Sequence, residues 1–451
     1  MKKTVGIYTL GCKVNQYESE AIAQALESHG FALADPDGSC DVYVINTCTV
    51  TAESDRKARQ FIRRALSHNP YAHVLVTGCL SQVDPDSICA ICGVDYVCGN
   101  RNKMSLVDAA VRLCKEGHKS EKPICNVPSL TDASFEPMSI CRFNRTRAYV
   151  KIEDGCQNHC TYCIIPSARG AIRSKPIPDV LREVSELTQG GCREIVLTGI
   201  ETASWGKDLK DTSLCDLLEQ VNAIEGIGRV RLGSLDPSLM RPAFVERIAH
   251  LDALTPHFHL SVQSGSDRVL AAMKRKYNRT QVLQAIERLR DAIPDVQLTT
   301  DVIVGFPGEE QEDFEQTMDL LRRARFLTVH VFPYSKRAGT PAAQMPKQIP
   351  NNVKKQRVHI VSDLADQIRR ELLLEAVNRG RERQVLFESY RDGIAVGHTP
   401  EFIEVRVKSG CPLHAQTHTV QLTDVLPDGL GCWGRLTDAG SEGDRSLKKG
   451  E

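Results

Sequence analysis

Short apolar runs alternate with amphipathic stretches along the first part of the chain. The runs VGIYTL, DVYVIN and HVLVTG each have the length of a strand, and helical stretches near 19–28 and 54–66 follow the first two. Gly30 is expected to end the first helix. Alternation of strands and helices is typical of an open parallel α/β sheet. We therefore predict an N-terminal domain of this kind over residues 1–115.

The alternation stops over residues 115–140 and then resumes. This segment carries Pro, Ser and charged residues without an apolar period, so we predict an interdomain linker. The strands predicted after it are AYVKIED, EIVLTGI, RVRLGSL, HFHLSVQ, VQLTTDVIVGF and LTVHVFPY. A closed eight-unit barrel takes about 250 residues, so a six-unit (β/α) partial TIM barrel fits the available span better. We assign this barrel to residues 142–375, with a long helix near 353–379 at its end.

Beyond Gly380 the pattern changes to short β-type runs separated by turn residues. The runs are RQVLFES, GIAVGHT, FIEVRVKSG, THTVQLTDVL and GCWGRL. Short, evenly spaced strands of this kind indicate a small β-barrel, which we place at residues 376–440. The tail SEGDRSLKKGE is expected to be frayed.

Composition narrows the class of protein. The chain has 451 residues, 41% of them hydrophobic and 25% charged, which is typical of a globular protein. Its 57 basic residues balance 57 acidic ones, so any nucleic-acid-binding face must be local. No apolar run approaches the ~18 residues of a membrane span, and none resembles a signal peptide. The 17 cysteines indicate metal ligands and reduced thiols in a cytoplasmic enzyme, not a disulfide framework.

Three cysteines in the run EDGCQNHCTYCIIPSARG carry the clearest chemical signal. We call Cys156, Cys160 and Cys163 the core triad; their spacing is C-x3-C-x2-C. Three thiolates can hold an iron–sulfur cluster and leave one iron open to a small-molecule cofactor. Structural zinc takes four ligands, and His159 inside the loop is available as a fourth. The spacing favours the iron–sulfur cluster.

A second set of cysteines follows the three N-terminal strands. We call Cys12, Cys48 and Cys79 the N-terminal triad, because each directly follows one of those strands. In open α/β sheets ligands bind beyond the carboxyl ends of strands, and neighbouring strands lie ~4.8 Å apart. One such cysteine is usually an inert core residue. Three in equivalent positions predict a second cluster site, whereas the C-x2-C pair at Cys89 and Cys92 has no partner pair and is given no role.

Motifs along almost the whole chain resemble those of the methylthiotransferase family of radical S-adenosylmethionine (radical SAM) enzymes. The N-terminal motifs are TLGCKVNQYESE, INTCTVT and TGCLSQ, and the middle motifs are CTYCIIPSARG, LTGIE, HLSVQSGSDRVL, DVIVGFPGE and FPYSKRAGTPA. The C-terminal part is similar to a TRAM domain, a small RNA-binding β-barrel. The resemblance implies a methylthiotransferase N-terminal domain at 1–115, a radical SAM core at 142–375 and a TRAM domain at 376–440.

The same resemblance implies two 4Fe–4S clusters. One, on the core triad, would bind S-adenosylmethionine at its open iron and, with an external one-electron reductant, generate a deoxyadenosyl radical. The other, on the N-terminal triad, would carry the sulfur. The sequence does not identify the sulfur donor, and no catalytic side chain is assigned.

Five positions around the barrel are implied to bind S-adenosylmethionine. Tyr162 would present its backbone to the adenine, and Gly199 ends the second strand, where such barrels receive the methionine moiety. Ser234, Gln263 and Val304 lie at other strand ends, which point into the site. For each of the five the alternative is a packing role.

The implied reaction inserts sulfur and a methyl group into a tRNA base. Three branches share the architecture, and they act on threonylcarbamoyl-adenosine, isopentenyl-adenosine or a ribosomal-protein aspartate. With Lys13 and Val14 after the first cysteine, the motifs are most similar to the first branch. Carbon 2 of threonylcarbamoyl-adenosine beside the anticodon is therefore the predicted target. A non-catalytic iron–sulfur or zinc protein that binds RNA is the rival from another class.

Candidate contacts to the tRNA are less specific. Arg231 and Lys336 are candidates to bind the substrate carboxylate, although either could pair with a neighbouring acid instead. Glu201 sits two residues past Gly199 and could face substrate. Basic stretches at 56–64, 274–279 and 354–357, and a few residues of the C-terminal barrel such as Arg406 and Lys408, could contact phosphates. Basic stretches are more often solvated helix faces.

Overall fold

The computed structural model describes residues 2–117, 119, 122–131, 134–143 and 145–437. Over these residues, no helix combines the length and apolar character needed to cross a membrane. The tail that we expect to be frayed, residues 441–451, lies outside the described residues.

The N-terminal part forms one parallel sheet. Its strands are β1 (Thr4–Thr9), β2 (Ala32–Ala34), β3 (Val42–Thr47), β4 (His73–Gly78), β5 (Tyr96–Cys98) and β6 (Ile124–Asn126). Its helices are α1 (Lys13–Ser28), α2 (Ala52–His68), α3 (Cys79–Val83), α4 (Pro85–Cys89) and α5 (Ser105–Glu116). The six strands have the order β2-β1-β3-β4-β5-β6. The predicted open parallel α/β sheet is confirmed.

Three strands of this sheet are not apparent in the sequence pattern. β2, β5 and β6 have three residues each, too few to show an alternation. β6 falls within the predicted linker, and all its side chains are exposed. It joins the sheet through parallel backbone pairing with β5, in which Ile124 lies opposite Tyr96. The linker prediction is therefore wrong at this strand, because main-chain pairing rather than apolar burial holds it.

The middle of the chain forms a partial barrel. Its strands are β7 (Arg147–Lys151), β8 (Glu153–Asp154), β9 (Arg173–Ser174), β10 (Glu194–Thr198), β11 (Arg229–Leu232), β12 (His257–Gln263), β13 (Gln297–Val304) and β14 (Thr328–Pro333). Its helices are α6 (Ile165–Arg169), α7 (Ile177–Gln189), α8 (Leu214–Asn222), α9 (Pro242–Ile248), α10 (Asp267–Ala272), α11 (Arg279–Ala292), α12 (Gln311–Ala324) and α13 (Asn351–Asn378). The parallel sheets β7-β10-β11 and β12-β13-β14 contain the six predicted strands.

Along the barrel strands, successive side chains point alternately to the hydrophobic layer under the helices and to the interior of the barrel. Phe258 and Leu260 of β12 are buried in the hydrophobic layer under the helices. His257 and His259 alternate with them and therefore point to the opposite face, into the barrel. Two isolated parallel bridges connect β11 and its flank to β12 and the segment before it: Val230 pairs with Leu254, and Leu235 pairs with Leu260. Helix α1 packs against the edge strand β7, so the N-terminal domain borders the open side of the barrel.

The C-terminal part forms the predicted small barrel. Its strands are β15 (Glu382–Arg391), β16 (Ile394–His398), β17 (Glu404–Lys408), β18 (Thr417–Val425) and β19 (Gly431–Leu436). They close in the order β15-β16-β17-β19-β18. Val385, Phe387 and Val405 are among the apolar side chains that fill its core.

This small barrel docks on the amino-terminal ends of the partial-barrel strands. Arg147, at the start of β7, pairs with Glu388, and Arg229, at the start of β11, donates to the Gln384 carbonyl at 2.6 Å. The ring of Phe402 lies 5.1 Å from the Arg147 guanidinium. We call these groups the barrel floor: Arg147, Glu194, Arg229, Arg231, Glu388 and Phe402. The cysteine triads lie at the opposite ends of their strands.

Candidate functional site

The N-terminal triad forms at the carboxyl ends of three adjacent strands. β1, β3 and β4 are neighbours, and Cys12 caps α1, Cys48 follows β3 and Cys79 begins α3. Burial, together with the charges of Cys79 and Cys12, raises the pKa of the Cys48 thiol to about 11. Gly11 has a φ of +95°, and a Cβ there would lie 2.9 Å from the Cys48 sulfur. The structure brings these three thiols together; their role as cluster ligands stays a prediction.

The core triad lies on the loop between β8 and α6. Gly155 begins this loop with a φ of +90°, and a Cβ there would meet the Ala171 carbonyl oxygen at 2.0 Å. The Cys163 amide donates to the Cys160 carbonyl at 3.0 Å, which folds the last two cysteines into one turn. Burial, with the nearby negative charges, raises the pKa of Cys156 to about 12. These thiols also lie close together.

The donor set of each triad suits an iron–sulfur cluster. All 17 cysteines are free, so none of the six triad thiols is in a disulfide. Thiolates are soft ligands that match iron in such clusters. His159, the fourth ligand that a zinc site would require, is exposed and has a φ of 47°. The core triad is therefore better suited to a three-thiolate site than to a closed zinc site.

Each triad has its own buried arginine, which donates a hydrogen bond to one of the triad's sulfur atoms. The distance from Arg169 Nε to Cys79 Sγ is 3.3 Å, and that from Arg275 Nη1 to Cys160 Sγ is 3.2 Å. Sequence reasoning missed both arginines. Arg169 is the one charged residue in the run CIIPSARG, which is the signal that could have found it. Arg275 lies in the basic stretch 274–279, where a contact to solvent or phosphate was predicted.

Arg169 belongs to a buried ionic network that joins two domains. Its Nη1 lies 2.6 Å from Glu18 Oε1 and 3.2 Å from Asp154 Oδ2, and its Nη2 donates to Asn15 Oδ1 at 2.5 Å. Lys151 Nζ lies 2.7 Å from both carboxylates. Burial alone would raise the pKa of Glu18, but the surrounding cations hold it well below its usual range. The network fastens helix α1 to the partial barrel.

Arg275 has a different set of partners. Its Nη2 lies 3.0 Å from Asp236 Oδ2 and 3.1 Å from the Ser261 carbonyl, and its Nε donates to the Tyr277 hydroxyl at 2.8 Å. All these groups belong to the partial barrel. The arginine beside the core triad therefore stabilises one domain internally.

A cavity of about 280 Å³, which we call the cavity between the triads, lies where the core-triad loop meets the segment after Cys48, and Cys163 is the triad cysteine in its lining. Val50 and Thr51, which follow Cys48 in the chain, form one side of it. Tyr162, Cys163 and Gln263 form part of the other side. Both the N-terminal domain and the partial barrel therefore contribute to one space.

Beside this cavity, Arg337 in the loop after β14 connects the partial barrel to the N-terminal domain. Arg337 Nη1 lies 2.7 Å from Asp55 Oδ2, and its Nη2 donates to Thr49 Oγ1 at 2.6 Å. Thr49 directly follows Cys48 and also donates to Asp55 at 2.7 Å. The segment that carries Cys48 is thus fixed to the loop after β14.

A second cavity, of about 400 Å³, lies next to the core triad, and its lining includes three basic side chains as well as two acidic ones. Glu201 and Asp236 line it, and Glu201 Oε2 accepts from Asn158 Nδ2 at 2.8 Å. Burial, with the charge of Asp236, raises the pKa of Glu201 to about 7. Glu153 accepts from the Glu201 amide at 2.7 Å, and a Cβ on Gly199 would lie 2.6 Å from its Oε2. Glycine at 199 makes room for that carboxylate.

The five predicted cofactor-binding positions fall in different environments. Tyr162 and Gln263 line the cavity between the triads. Gly199 directly follows β10 and lies against Glu153. Ser234 is exposed beyond β11, and Val304 is buried in the hydrophobic core. Neither of the last two is among the residues that line the two cavities.

The two predicted substrate-binding residues also differ. Arg231 is buried in the barrel floor, and its Nε lies 2.8 Å from Glu194 Oε1. It therefore has the acidic partner that the sequence analysis offered as the alternative. Lys336 is exposed on the loop after β14 and does not line either cavity.

Several basic residues expected at the surface have structural partners. Lys354 donates to the Tyr334 carbonyl at 3.0 Å, and Arg357 lies 2.5 Å from Glu309. In the C-terminal barrel Arg406 pairs with Glu404 at 2.8 Å, whereas Lys408 is exposed. Two of the three basic residues in the stretch 354–357 are therefore internal, and Lys355 is exposed.

Comparison with known proteins agrees with this architecture. Residues 150–321 match the Radical SAM superfamily, and residues 4–99 match the Uncharacterized protein family UPF0004. The radical SAM match implies a 4Fe–4S cluster and S-adenosylmethionine. A solved radical S-adenosylmethionine methyltransferase, TsrM from Kitasatospora setae, has cobalamin and a [4Fe–4S] cluster bound. It shares the fold over 76% of this chain and 77% of its own, with a TM-score of 0.57 at 15% identity.

Curated relatives match over nearly the full length. The threonylcarbamoyladenosine tRNA methylthiotransferase MtaB of Bacillus subtilis is 40% identical over 90% of each chain. The protein of the same name from Thermotoga maritima is 39% identical, over 95% of this chain and 96% of its own. A tRNA-2-methylthio-N(6)-dimethylallyladenosine synthase from Aquifex aeolicus is 34% identical over 88% and 91%. The chain therefore belongs to the methylthiotransferase family of radical SAM enzymes.

Proposed function

We propose that this enzyme adds a methylthio group to carbon 2 of threonylcarbamoyl-adenosine beside the anticodon of tRNA. The Bacillus subtilis and Thermotoga maritima relatives are named threonylcarbamoyladenosine tRNA methylthiotransferases. The observation that carries the proposal is the cavity between the triads, because its wall includes Cys163 and the segment after Cys48. A base in this space would be within reach of both triads. We place the reaction in the cytoplasm.

Each triad would hold one 4Fe–4S cluster, and the core triad would also bind S-adenosylmethionine at the open iron. When bound, these groups supply radical chemistry at an unactivated C–H bond and the sulfur for the product. The protein must bind and orient the reactants and exclude water. An external one-electron reductant and a sulfur donor are required partners.

The second cavity suits the amino-acid part of S-adenosylmethionine, which carries both an ammonium and a carboxylate group. Glu201 is the candidate acceptor for the ammonium, and the basic side chains of the lining, Lys207, Arg241 and Lys276, are candidate donors to the carboxylate. Charge-assisted hydrogen bonds to an ammonium are among the stronger polar contacts. Tyr162 and Gln263, on the side facing the other cavity, would contact the rest of the cofactor or the target base.

The cavity between the triads also suits a nucleobase. Phe332 lines it and is 47% exposed, which leaves an aromatic face available for stacking. An anticodon-loop base is largely unpaired, so extruding it should cost at most a few kcal/mol. Single-stranded loops are also where proteins recognise RNA most specifically.

We propose that the C-terminal barrel is a TRAM domain that contacts tRNA. Because it docks at the barrel floor, away from the triads, it would bind a part of tRNA distant from the target base. Lys408 is one of its exposed cations, so Lys408→Glu should weaken tRNA binding and reduce its salt dependence by about one charge. Removing the whole barrel is a poorer test, since it would uncover Arg147, Arg229 and Arg231.

The substrate assignment is tested with purified, anaerobically reconstituted enzyme and three tRNAs. One carries threonylcarbamoyl-adenosine, one carries isopentenyl-adenosine and one carries neither group. Nucleoside mass spectrometry should find the methylthio product from the first alone. Product only from the isopentenylated tRNA would move the enzyme to the branch of its Aquifex aeolicus relative. Absence of both S-adenosylmethionine cleavage and product would favour an RNA-binding protein.

A further inference from the structure

Two histidines and one aspartate come together on three adjacent strands of the partial barrel. They are His259 of β12, Asp301 of β13 and His330 of β14, and we call them the interior cluster. Each side chain offers one atom that can bind a metal, and these three atoms all lie within 4.8 Å of one another. The cluster contains no cysteine, so its donor set differs from those of both triads.

The strand register explains why these three side chains meet. Asp301 lies opposite His330 in the parallel pairing of β13 with β14. His259 lies opposite Thr299, which is two residues before Asp301 and therefore on the same face of β13. Val302, the next residue, is buried in the hydrophobic layer under the helices. The interior cluster therefore faces the inside of the barrel.

The spacing within the cluster suits a metal ion. His259 Nε2 lies 3.2 Å from Asp301 Oδ2. In a tetrahedral zinc site, with ligand bonds of ~2.0–2.1 Å, neighbouring ligand atoms are about 3.3 Å apart. His259 and Asp301 already have this spacing. His330 is the exposed member, and a rotation of its side chain would bring its ring nitrogen to the same distance.

A buried hydroxyl orients the ring of His259. Its Nδ1 lies 2.9 Å from Thr299 Oγ1, and that oxygen also lies 3.3 Å from His257 Nε2. Histidines that bind metals usually donate their other ring N–H to a neighbouring acceptor, which fixes the tautomer. With Nδ1–H donating to Thr299, the lone pair of Nε2 points towards Asp301. The hydroxyl proton of Thr299 can in turn be donated to His257.

Positive charges also act on the cluster. Burial lowers the pKa of His330 below its usual value, although the charge of Asp301 opposes this shift. The charges of His259, Lys13 and Arg369 lower the pKa of His330 further. The neutral imidazole is the form that binds metals. Because nearby cations also weaken the binding of a dication, Zn²⁺ is a suitable probe, since nitrogen-containing sites bind it more tightly than most divalent metals of its row.

The interior cluster borders the cavity between the triads. Asp301 belongs to the lining of this cavity, together with Ile303 and Phe332. Ile303 is two residues past Asp301, and Phe332 is two residues past His330, so both lie on the face that carries the cluster. A zinc ion with three protein ligands keeps a fourth position for water or another ligand. At the interior cluster that position would be accessible from the cavity.

From this geometry we propose that His259, Asp301 and His330 bind one divalent transition-metal cation of the zinc class. The site is a third metal centre, separate from the two triads and built from nitrogen and oxygen donors. Its open position faces the cavity between the triads. The proposal does not depend on which tRNA base the enzyme modifies.

The test measures zinc binding by the enzyme after anaerobic reconstitution with iron and sulfide. Loading the triads first keeps their six thiols from binding zinc. The wild type, Asp301→Asn, His330→Gln and the control His359→Gln are dialysed against buffered Zn²⁺, and zinc, iron and protein are quantified. His359 is exposed on α13. The cysteines outside the triads are the same in all four proteins, so their contribution cancels.

The wild type and His359→Gln should each bind about one zinc more per chain than the two cluster variants. Loss of one ligand should weaken zinc binding on the order of a hundredfold or more, and Thr299→Val, which removes the hydroxyl beside His259, by about ten- to a hundredfold. Iron content equal to that of the wild type verifies that a variant is folded. Because His330 is exposed, His330→Gln tests the proposal even if Asp301→Asn does not fold.

X-ray absorption at the zinc edge identifies the atoms that bind the ion. Nitrogen and oxygen ligands at ~2.0–2.1 Å are expected in the wild type, whereas cysteine sulfur would appear at ~2.3 Å. Equal zinc content in all four proteins would overturn the proposal. Zinc bound by sulfur alone in the wild type would overturn it as well.

Discussion

The two cysteine triads reach similar arrangements by different routes. The core triad lies on one short loop, and its members are brought together by the turn between Cys160 and Cys163. The N-terminal triad comes from three separate segments, which only the adjacency of β1, β3 and β4 brings together. Each triad begins after a glycine with φ near +90° and receives one arginine hydrogen bond. Local chain geometry forms one site, and sheet topology forms the other.

This difference extends to the surroundings. Arg169, beside the N-terminal triad, comes from the partial barrel and crosses to Glu18 on α1. Among the described residues, Arg275 beside the core triad bonds only to groups of its own domain. The geometry of the N-terminal triad therefore depends on how two domains dock, whereas that of the core triad does not.

The largest effects are expected when the cysteines of one triad are replaced, because each triad should be needed for a different part of the reaction. Replacing all three core-triad cysteines with Ala should abolish S-adenosylmethionine cleavage, because Ala offers no soft ligand. Replacing the N-terminal triad should leave cleavage in place and abolish the methylthio product. Cleavage is measured as deoxyadenosine, and product as the modified nucleoside.

The matched control replaces three exposed cysteines outside the triads, Cys92, Cys125 and Cys141, with Ala. It should retain both activities. Full product formation by the N-terminal variant would mean that this triad is not needed for sulfur insertion.

The second effect concerns the two arginines. Removing one partner of a buried ion pair typically costs 3–5 kcal/mol. Arg169→Met leaves the carboxylates of Glu18 and Asp154 without their arginine and should lower the free energy of unfolding by about 5 kcal/mol. Arg275→Met leaves one carboxylate, that of Asp236, without its arginine and should lower it by about 3 kcal/mol. Urea unfolding measures both, with exposed Arg391→Met as the control. Equal losses for the two buried positions would remove the distinction between a docked and a local site.

Many of the structural features compared above could be predicted from the sequence. The C-x3-C-x2-C spacing is local and needs no fold, and the strand-end positions of Cys12, Cys48 and Cys79 needed only the assignment of three strands. The six strands in the two parallel sheets of the partial barrel, and the five strands of the C-terminal barrel, were also evident from their apolar patterns. These features share one property, which is that each depends on residues close together in the chain.

The remaining features depend on tertiary contacts. β6 has exposed side chains and joins β5 through its backbone and through the Asn126 amide, which donates to the Tyr96 hydroxyl at 2.8 Å, so no apolar pattern marks it. Arg169 and Arg275 resemble surface arginines until their distant acidic partners are known. The barrel floor depends on Phe402, whose φ of 72° has no counterpart in composition or period.

The third expected effect is a loss of stability when the glycine that precedes each triad is replaced. A side chain at positive φ costs about 1–2 kcal/mol. Gly155→Ala should lower the free energy of unfolding by a further ~1–3 kcal/mol, because the added Cβ would lie 2.0 Å from a backbone carbonyl oxygen. In Gly11→Ala the added Cβ would lie 2.9 Å from the Cys48 side chain, which can move. Thermal unfolding and iron content are the measurements.

Gly30→Ala is the control for φ alone, since it has a φ of +90° and nothing within 4 Å of its Cβ. If Gly155→Ala were no worse than Gly30→Ala, the tight loop of the core triad would not be a constraint.

The smallest effect concerns the barrel floor, which neither triad touches. Burial would raise the pKa of Glu388, but the hydrogen bond from His398 and the charges of His398 and Arg147 lower it overall. Because its folded-state pKa lies below the unfolded value near 4.3, the carboxylate stabilises the protein above that pH. This stabilisation, about 1 kcal/mol, is lost as pH falls through the folded pKa.

Glu388→Gln should therefore lower the free energy of unfolding at pH 7 and weaken its decline below about pH 4. Unfolding is measured from pH 3 to 7, with iron content as the readout for the triads. A parallel loss of stability at every pH would show that Glu388 acts through packing.

The central claim is that the two triads are separate sites for two clusters, and iron stoichiometry tests it most directly. The wild type and both triple Cys→Ala variants are reconstituted anaerobically, and iron and protein are quantified in the same samples. With one 4Fe–4S cluster on each triad, we expect about eight irons per wild-type chain and about four in each variant. About four irons in the wild type, or loss of all iron when one triad is replaced, would contradict the account.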